Sequence, residues 1–170
     1  MRLAFLLLVG LLAASPAWAQ TPNLKVASWN IRDLGRSKSD GDIDSMAQLL
    51  RGFDLIAVQE VVAKDPAGAK AVARLADALD RTGSDYDYRV SDPTRSSSPY
   101  VRERYAYLWR TSTVELVRRP RLLAAFAKTI EREPYLATFA WHGKRFRIAN
   151  FHARPSTSSP NANSRSCVAS

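Results

Sequence analysis

The chain has 170 residues, 46% of them hydrophobic and 24% charged, which is enough for one domain with a core of its own. Its 25 basic and 16 acidic residues give a formal net charge of +9. That balance suits a polyanionic partner such as nucleic acid or anionic lipid, and it equally suits solubility alone. The single cysteine, Cys167, excludes an internal disulfide framework.

In chain order, Met1-Arg2 makes a short positive start, Leu3 to Ala14 is apolar apart from Gly10, and Ala17-Trp18-Ala19 places small residues where a signal peptidase reads. This pattern predicts a signal peptide over 1–19 with cleavage before Gln20, and export to the periplasm or the extracellular space. The apolar run is shorter than the ~20 residues needed to span a bilayer. No later segment is apolar enough for stable membrane insertion. About 151 residues remain after cleavage, and loss of Arg2 lowers the net charge by one.

Leu24 to Trp29 reads as a strand, and Ile31 to Ser39 as a polar loop. Asp42 to Leu50 carries Ile43, Met46, Ala47 and Leu50 at helical spacing, with Gly52 and Asp54 beyond its end. Leu55 to Val58 is a short continuous apolar run, as expected of a strand covered on both faces. A second helix is predicted over Ala67 to Asp80, its stripe made by Val72, Leu75, Ala76 and Leu79. Strand, helix, strand, helix is the order of an α/β layer. After Tyr86 the character changes. Tyr86 to Val90 is strand-like, and Ser91 to Pro99 is a Ser/Pro-rich loop. Arg104 to Trp109 and Thr113 to Arg118 suggest a hairpin. Tyr135 to Trp141 and Arg145 to Phe151 suggest another around His142-Gly143. From Arg154 onward the Ser, Asn and Pro content predicts a disordered tail over 154–170. The abrupt change near Pro155 has the look of out-of-frame sequence.

Three predicted strands end in polar residues: Trp29-Asn30, Gln59-Glu60 and Asn150-Phe151-His152. Ligands gather beyond strand ends in helix-covered sheets. An amide, a carboxylate and an imidazole brought together there suit phosphodiester hydrolysis. The carboxylate binds a hard cation, the amide orients water or phosphate oxygen, and the imidazole moves a proton. Taken singly, each has a plainer reading: Asn30 as a turn former or helix cap, Glu60 as the first solvated residue after an apolar strand, His152 as a surface residue.

In order, WNIRDLG at 29–35, DLIAVQEV at 54–61, RERYAYLWR at 102–110, REPYLATF at 132–139 and FRIANFHARP at 146–155 resemble the endonuclease/exonuclease/phosphatase superfamily. ERYAYLWR and REPYLATF look most like its deoxyribonuclease I branch. The resemblance covers about residues 24 to 155. It implies a four-layered α/β/β/α sandwich of mixed α+β and α/β character, here truncated, with a partial domain over 24–153. It also implies a metal-dependent phosphodiester hydrolase, a secreted DNA endonuclease. Glu60 matches the glutamate that ligates Mg2+, with Ca2+ or Mn2+ as alternatives, and Asn30 matches an asparagine bordering metal and scissile phosphate. Glu103 matches the carboxylate that orients a catalytic histidine, here His152. Arg132 matches an arginine that contacts backbone phosphate. Alternatives are a sphingomyelinase- or phosphatase-like member of the same superfamily, and a non-catalytic exported protein that binds polyanions.

Departures also follow from the resemblance. Val62 stands where nucleases of the branch often carry a groove-reading arginine. The family's Asp-x-Asn pair and terminal Asp-His pair find no counterpart, because no aspartate follows Asp92, no acidic residue follows Glu133 and no histidine follows His152. His142, in a predicted turn, does not fit the second histidine's role. The expectation is an uncovered apolar face on one sheet and very low turnover by this chain alone.

Overall fold

The structure is a computed structural model, and it describes residues 23–64, 66–95 and 101–153. The predicted signal peptide and the tail lie outside the described residues, as does part of the Ser/Pro-rich loop.

The first half alternates strands and helices. Strand β1 covers Val26–Leu34, helix α1 Asp40–Leu50, β2 Leu55–Val62 and α2 Ala67–Asp80. A reciprocal capping box starts α1: the Ser39 hydroxyl accepts from the Asp42 N–H at 3.1 Å, and the Asp42 carboxylate accepts from the Ser39 N–H at 2.9 Å. Asp40 and Asp42 in the first turn complement the positive end of the helix dipole. Ile43, Ala47 and Leu50 form its buried stripe, and Ala71, Val72, Leu75, Ala76 and Leu79 that of α2. Gly68 lets α2 start against β2, since a Cβ there would collide with the Val62 carbonyl oxygen.

Among the described residues the second half is mainly strand, with a 3-10 turn at Ala124–Phe126: β3 Tyr86–Val90, β4 Glu103–Arg110, β5 Val114–Leu122, β6 Tyr135–Trp141 and β7 Lys144–Asn150. Two sheets result. The first has the order β1-β2-β4-β3, with β1 parallel to β2 and the other pairs antiparallel. The second is an antiparallel β5-β6-β7 meander.

Period-two alternation divides the core. Ile56, Val58, Ala106 and Leu108 face the helices, whereas Leu55, Ala57, Tyr105, Tyr107 and Trp109 face Val114, Tyr135, Ala137 and Phe139 of the second sheet. This is why Leu55 to Val58 is apolar without interruption. Tyr107 stacks on Tyr135 at 5.4 Å and meets Phe139 edge-on at 5.5 Å. Its hydroxyl donates to the carbonyls of Tyr135 at 2.7 Å and Ile148 at 3.0 Å, so the phenol ties the sheets together. Burial pushes that phenol's pKa well above the usual tyrosine range. The layers present are therefore α/β/β, a portion of the α/β/β/α sandwich.

Three expectations are corrected. Arg104–Trp109 and Thr113–Arg118 do not form a hairpin. Both edges of β4 are taken by β2 and β3, and the chain crosses at Thr111–Thr113 into the other sheet, where β5 pairs with β6. The Thr111 N–H donates to the Asp85 carbonyl at 2.9 Å, and the Thr113 hydroxyl to Asp54 at 3.1 Å, which fixes that corner. The predicted loop after Asn30 begins with four more residues of β1, because Ile31 and Leu34 are buried. Finally, no uncovered sheet face is apolar throughout among the described residues. On the outer face of the second sheet, Arg145 and Arg147 accompany Leu136, Thr138 and Ala140. The exposed apolar surface between the sheets falls at the β1 edge, where Val26 is 43% exposed on the face it shares with Leu55.

Candidate active site

The predicted strand ends converge because of irregularities in the two parallel strands. The register between β1 and β2 shifts between Asn30 and Leu34, and that between β2 and β4 shifts between Val58 and Val61. Within the shifts, Asp33 (φ 52°) and Glu60 (φ 57°) adopt the left-handed conformation. For a residue with a Cβ this costs about 1–2 kcal/mol, and such strain collects where side chains are aimed at a function. The bulge in β2 leaves Gln59 buried between the sheets and takes the Glu60 carboxylate toward Asn30.

Five side chains from five segments then form one hydrogen-bonded and charged row. Asn30 Nδ2 donates to Glu60 Oε1 at 2.9 Å and lies 3.4 Å from His152 Nε2. His152 Nε2 is 3.7 Å from the same Glu60 oxygen. The other ring nitrogen, Nδ1, meets Glu103 at 2.8 Å from Oε2 and 3.1 Å from Oε1. Glu103 also faces Arg132 Nε at 3.4 Å. Its burial, only 6% exposed, raises its pKa above the usual carboxylate value; His152 and then Arg132 oppose that rise, and nearby Glu60 adds to it. A carboxylate on Nδ1 fixes the imidazole tautomer and leaves Nε2 for the reacting group. All the predicted site residues are thus brought together. Arg132 sits deeper than a surface phosphate ligand: its side chain is 15% exposed, and Nε donates to the Val101 carbonyl at 3.1 Å.

A polar scaffold that sequence reasoning missed holds the row in place. Asn150, 2% exposed, donates to the carbonyls of Val58 at 2.9 Å and Ala106 at 3.2 Å, and accepts from Gln59 Nε2 at 2.5 Å. Gln59 also donates to Ser28 Oγ at 3.1 Å. This network pins the end of β7 to the first sheet, two residues before His152. The His152 N–H donates to the Tyr105 hydroxyl at 3.3 Å, which positions the ring's backbone from the same core. The only sequence sign was that Gln59 and Asn150 are amides at the ends of predicted strands, each within two residues of a candidate site residue.

Beside the row lies a cleft of about 210 Å3 lined by Asp33, Glu60, Val62, Arg102, Glu103 and Arg132 among others. With liquid water occupying ~30 Å3 per molecule, it has room for a phosphate group and several waters. Asp33 and Arg102 were not expected there. Val62 lines the cleft with an apolar side chain, consistent with no groove-reading arginine at that position. His142 lies at the far end of the β6–β7 pair from the row, in the turn with φ 46°, beside Gly143.

The donor set suits a hard, hydrated cation. Glu60 uses Oε1 toward Asn30 and leaves Oε2 without a hydrogen bond among the described residues. Mg2+ is commonly held by one or two carboxylates, with waters and substrate phosphate completing its shell. Among the described residues no three His, Cys, Asp or Glu side chains form a metal-holding group.

No family model matches the chain. It is 35% identical over 154 residues to a deoxyribonuclease of Thioalkalivibrio sp. (strain K90mix), covering 89% of this chain and 40% of that protein. It is 31% identical over 168 residues to bovine deoxyribonuclease-1 (Bos taurus), covering 92% of this chain and 58% of that protein. Among solved structures, an endonuclease/exonuclease/phosphatase family protein from Leptotrichia buccalis superposes with a TM-score of 0.54 at 17% identity, over 78% of this chain and 54% of that one. A mannosyl-6-phosphatase of Bacteroides thetaiotaomicron gives 0.52 at 20% identity, over 75% and 50%. The chain spans about half the length of the relatives it matches. The chain shares the fold of endonuclease/exonuclease/phosphatase proteins and is similar in sequence to deoxyribonucleases, which supports the superfamily and its deoxyribonuclease I-like branch.

Proposed function

We propose that this chain carries part of the active site of an exported, divalent-metal phosphodiesterase that cleaves DNA. The observation that carries the reading is the row from Asn30 through Glu60, His152 and Glu103 to Arg132, which joins residues up to 122 positions apart. A nonpolar sandwich edge has no use for a half-buried imidazole between two carboxylates; a phosphate transfer site has. Export rests on the leader over 1–19, and among the described residues no helix is long and apolar enough to cross a membrane.

Each side chain has a role in attack of water on a phosphodiester. Glu103 holds Nδ1, so a protonated His152 presents Nε2–H to a phosphate oxygen as charge develops on it. Asn30, anchored on Glu60, offers its amide to the same oxygens. Arg132 holds Glu103 in place and directs the remainder of its guanidinium toward the cleft, where a planar fork matches phosphate. Glu60 would hold Mg2+, or Ca2+ or Mn2+, whose contribution when bound is Lewis-acid stabilisation of the developing charge. Turnover by these 170 residues is expected to be slow, since the sequence offers no acidic residue after Glu133 and no histidine after His152. A general base contributes about 10²- to 10⁴-fold.

The test is plasmid nicking in Mg2+ beside release of the headgroup from sphingomyelin, with Glu60→Ala in both. Slow nicking that disappears in Glu60→Ala supports the reading. Headgroup release without nicking moves the substrate to lipid, and nicking that survives in Glu60→Ala removes the metal role.

A further inference from the structure

A second cavity, of about 440 Å3, lies at the same end of the sandwich as the candidate site but toward the opposite sheet edges. Its place follows from the registers. Val90 at the end of β3 is opposite Ala106, and the chain beyond it continues to the start of β4, where the Thr94 N–H donates to the Glu103 carbonyl at 2.8 Å; Leu122 at the end of β5 is opposite Tyr135, which in turn is opposite Asn150. The ends of β3 and β5 therefore share an end with Glu103, Asn150 and His152. These two strands form the edge of each sheet farthest from β1 and β7.

Four arginines line this cavity: Arg89, Arg95, Arg119 and Arg121. Arg89 is exposed and pairs with Asp87 at 3.1 Å. The side chains of Arg95, Arg119 and Arg121 are exposed and make no ion pair among the described residues. The acids lining the cavity are Asp92 and Glu133. Glu133 is fully buried and accepts the Arg95 backbone N–H on both oxygens, at 2.9 and 3.2 Å. The field of Arg119 and Arg89 reaches the Tyr135 phenol and draws its pKa down, although burial has the larger effect and leaves it pushed up to about 12.

The two cavities have opposite character. The cleft beside His152 holds Asp33, Glu60 and Glu103 against Arg102 and Arg132, whereas the second holds four arginines against two acids. A small phosphoester is served by the first alone. A polymer with a phosphate on every unit needs positive charge beyond the scissile position, and unpaired guanidinium groups are suited to bind phosphate bidentately.

We propose that the Arg89/Arg95/Arg119/Arg121 cavity binds the phosphate backbone of a nucleic acid at positions flanking the one cleaved. The proposal rests on the phosphodiesterase reading above and deepens it, because it specifies a polymeric substrate over a lipid headgroup.

The test uses the full chain and a fluorescein-labelled DNA duplex, with anisotropy read across a KCl series in EDTA so that no turnover occurs. Each phosphate contact contributes about 0.9 to the slope of log K against log salt. Arg119→Ala/Arg121→Ala should lower that slope by about 1.8. Arg145→Ala/Arg147→Ala removes the same charge from the part of the second sheet nearer the β6–β7 turn, away from the cavity, and should lower it by well under half as much. All four positions are exposed, so both variants should melt like the parent. Equal changes in the two variants, or none in the first, overturn the proposal. So does binding of phosphatidylserine vesicles that needs Arg119 and Arg121 where the duplex does not bind. A lowered slope without Mg2+-dependent nicking by the parent leaves the polyanion site standing and removes the phosphodiesterase reading. Glu60-dependent nicking with an unchanged slope does the reverse.

Discussion

Replacing Asn150 by alanine should be among the most damaging single changes outside the reacting groups. The side chain makes three hydrogen bonds across the sandwich, to Val58, Ala106 and Gln59, with 2% of the residue exposed. Alanine leaves two carbonyl oxygens and one amide hydrogen facing a space that no side chain fills. Each buried group left unsatisfied costs about 1–3 kcal/mol. Gln59 keeps its bond to Ser28, so its loss is at the lower end. Those terms sum to about 3–7 kcal/mol, against the roughly 5–15 kcal/mol that holds an ordinary domain together. Asn150→Asp should be worse at neutral pH, because a carboxylate would face the two carbonyls. Urea unfolding, followed by circular dichroism and by fluorescence of the buried Trp109, measures the loss. A loss under about 1 kcal/mol with an unchanged m-value would refute the claim that this amide joins the two sheets.

Three further outcomes follow from single residues. Glu103 has its pKa raised in the fold, so the folded state holds that proton more tightly than the unfolded chain. Its contribution to stability is therefore greatest below the ordinary value of 4.5 and falls as pH rises from there through the raised value. Urea midpoints in EDTA between pH 4 and 7.5 should show the parent losing stability relative to Glu103→Gln, and the opposite slope would contradict the burial argument. Arg132→Lys keeps the charge but loses the Nε contacts to Glu103 and to the Val101 carbonyl. Nicking should drop about tenfold, and rates within twofold of the parent would mean that only the charge matters. Gly143→Ala, at φ +73° in the β6–β7 turn, should cost about 1–2 kcal/mol in a urea titration and leave nicking untouched. A lost activity there would tie the turn to the site.

Local pattern carried the regular elements well. The spans predicted for α2, β3 and β6 coincide with those observed, because each is set by near-neighbour periodicity and punctuation. The same reasoning shortened β1 and β2, since Asn30 to Asp33 and Gln59-Glu60 are polar. Parallel pairing and bulges hold them in the sheet, and Glu60 is not a residue that advertises a positive φ. Alternation in Arg104–Trp109 and Thr113–Arg118 identified two strands but could not say which sheet each joins, a choice made by contacts distant in sequence. The site residues were legible only as five ordered blocks resembling a known superfamily. Spacing alone left Asn30, Glu60 and His152 with ordinary readings. The Asn150–Gln59 network stayed hidden because an amide at a strand end looks the same whether solvated or locked between sheets.

The central claim is that Glu60 and His152 act on one phosphate in one site, and a double-mutant cycle tests it most directly. Nicking is measured with protein in excess over plasmid in Mg2+, for the parent, Glu60→Ala, His152→Ala and the double variant. Groups that work as a unit lose nearly everything once. The account predicts a double variant no slower than the worse single variant, within about threefold. Rate losses that multiply across the two substitutions would contradict it.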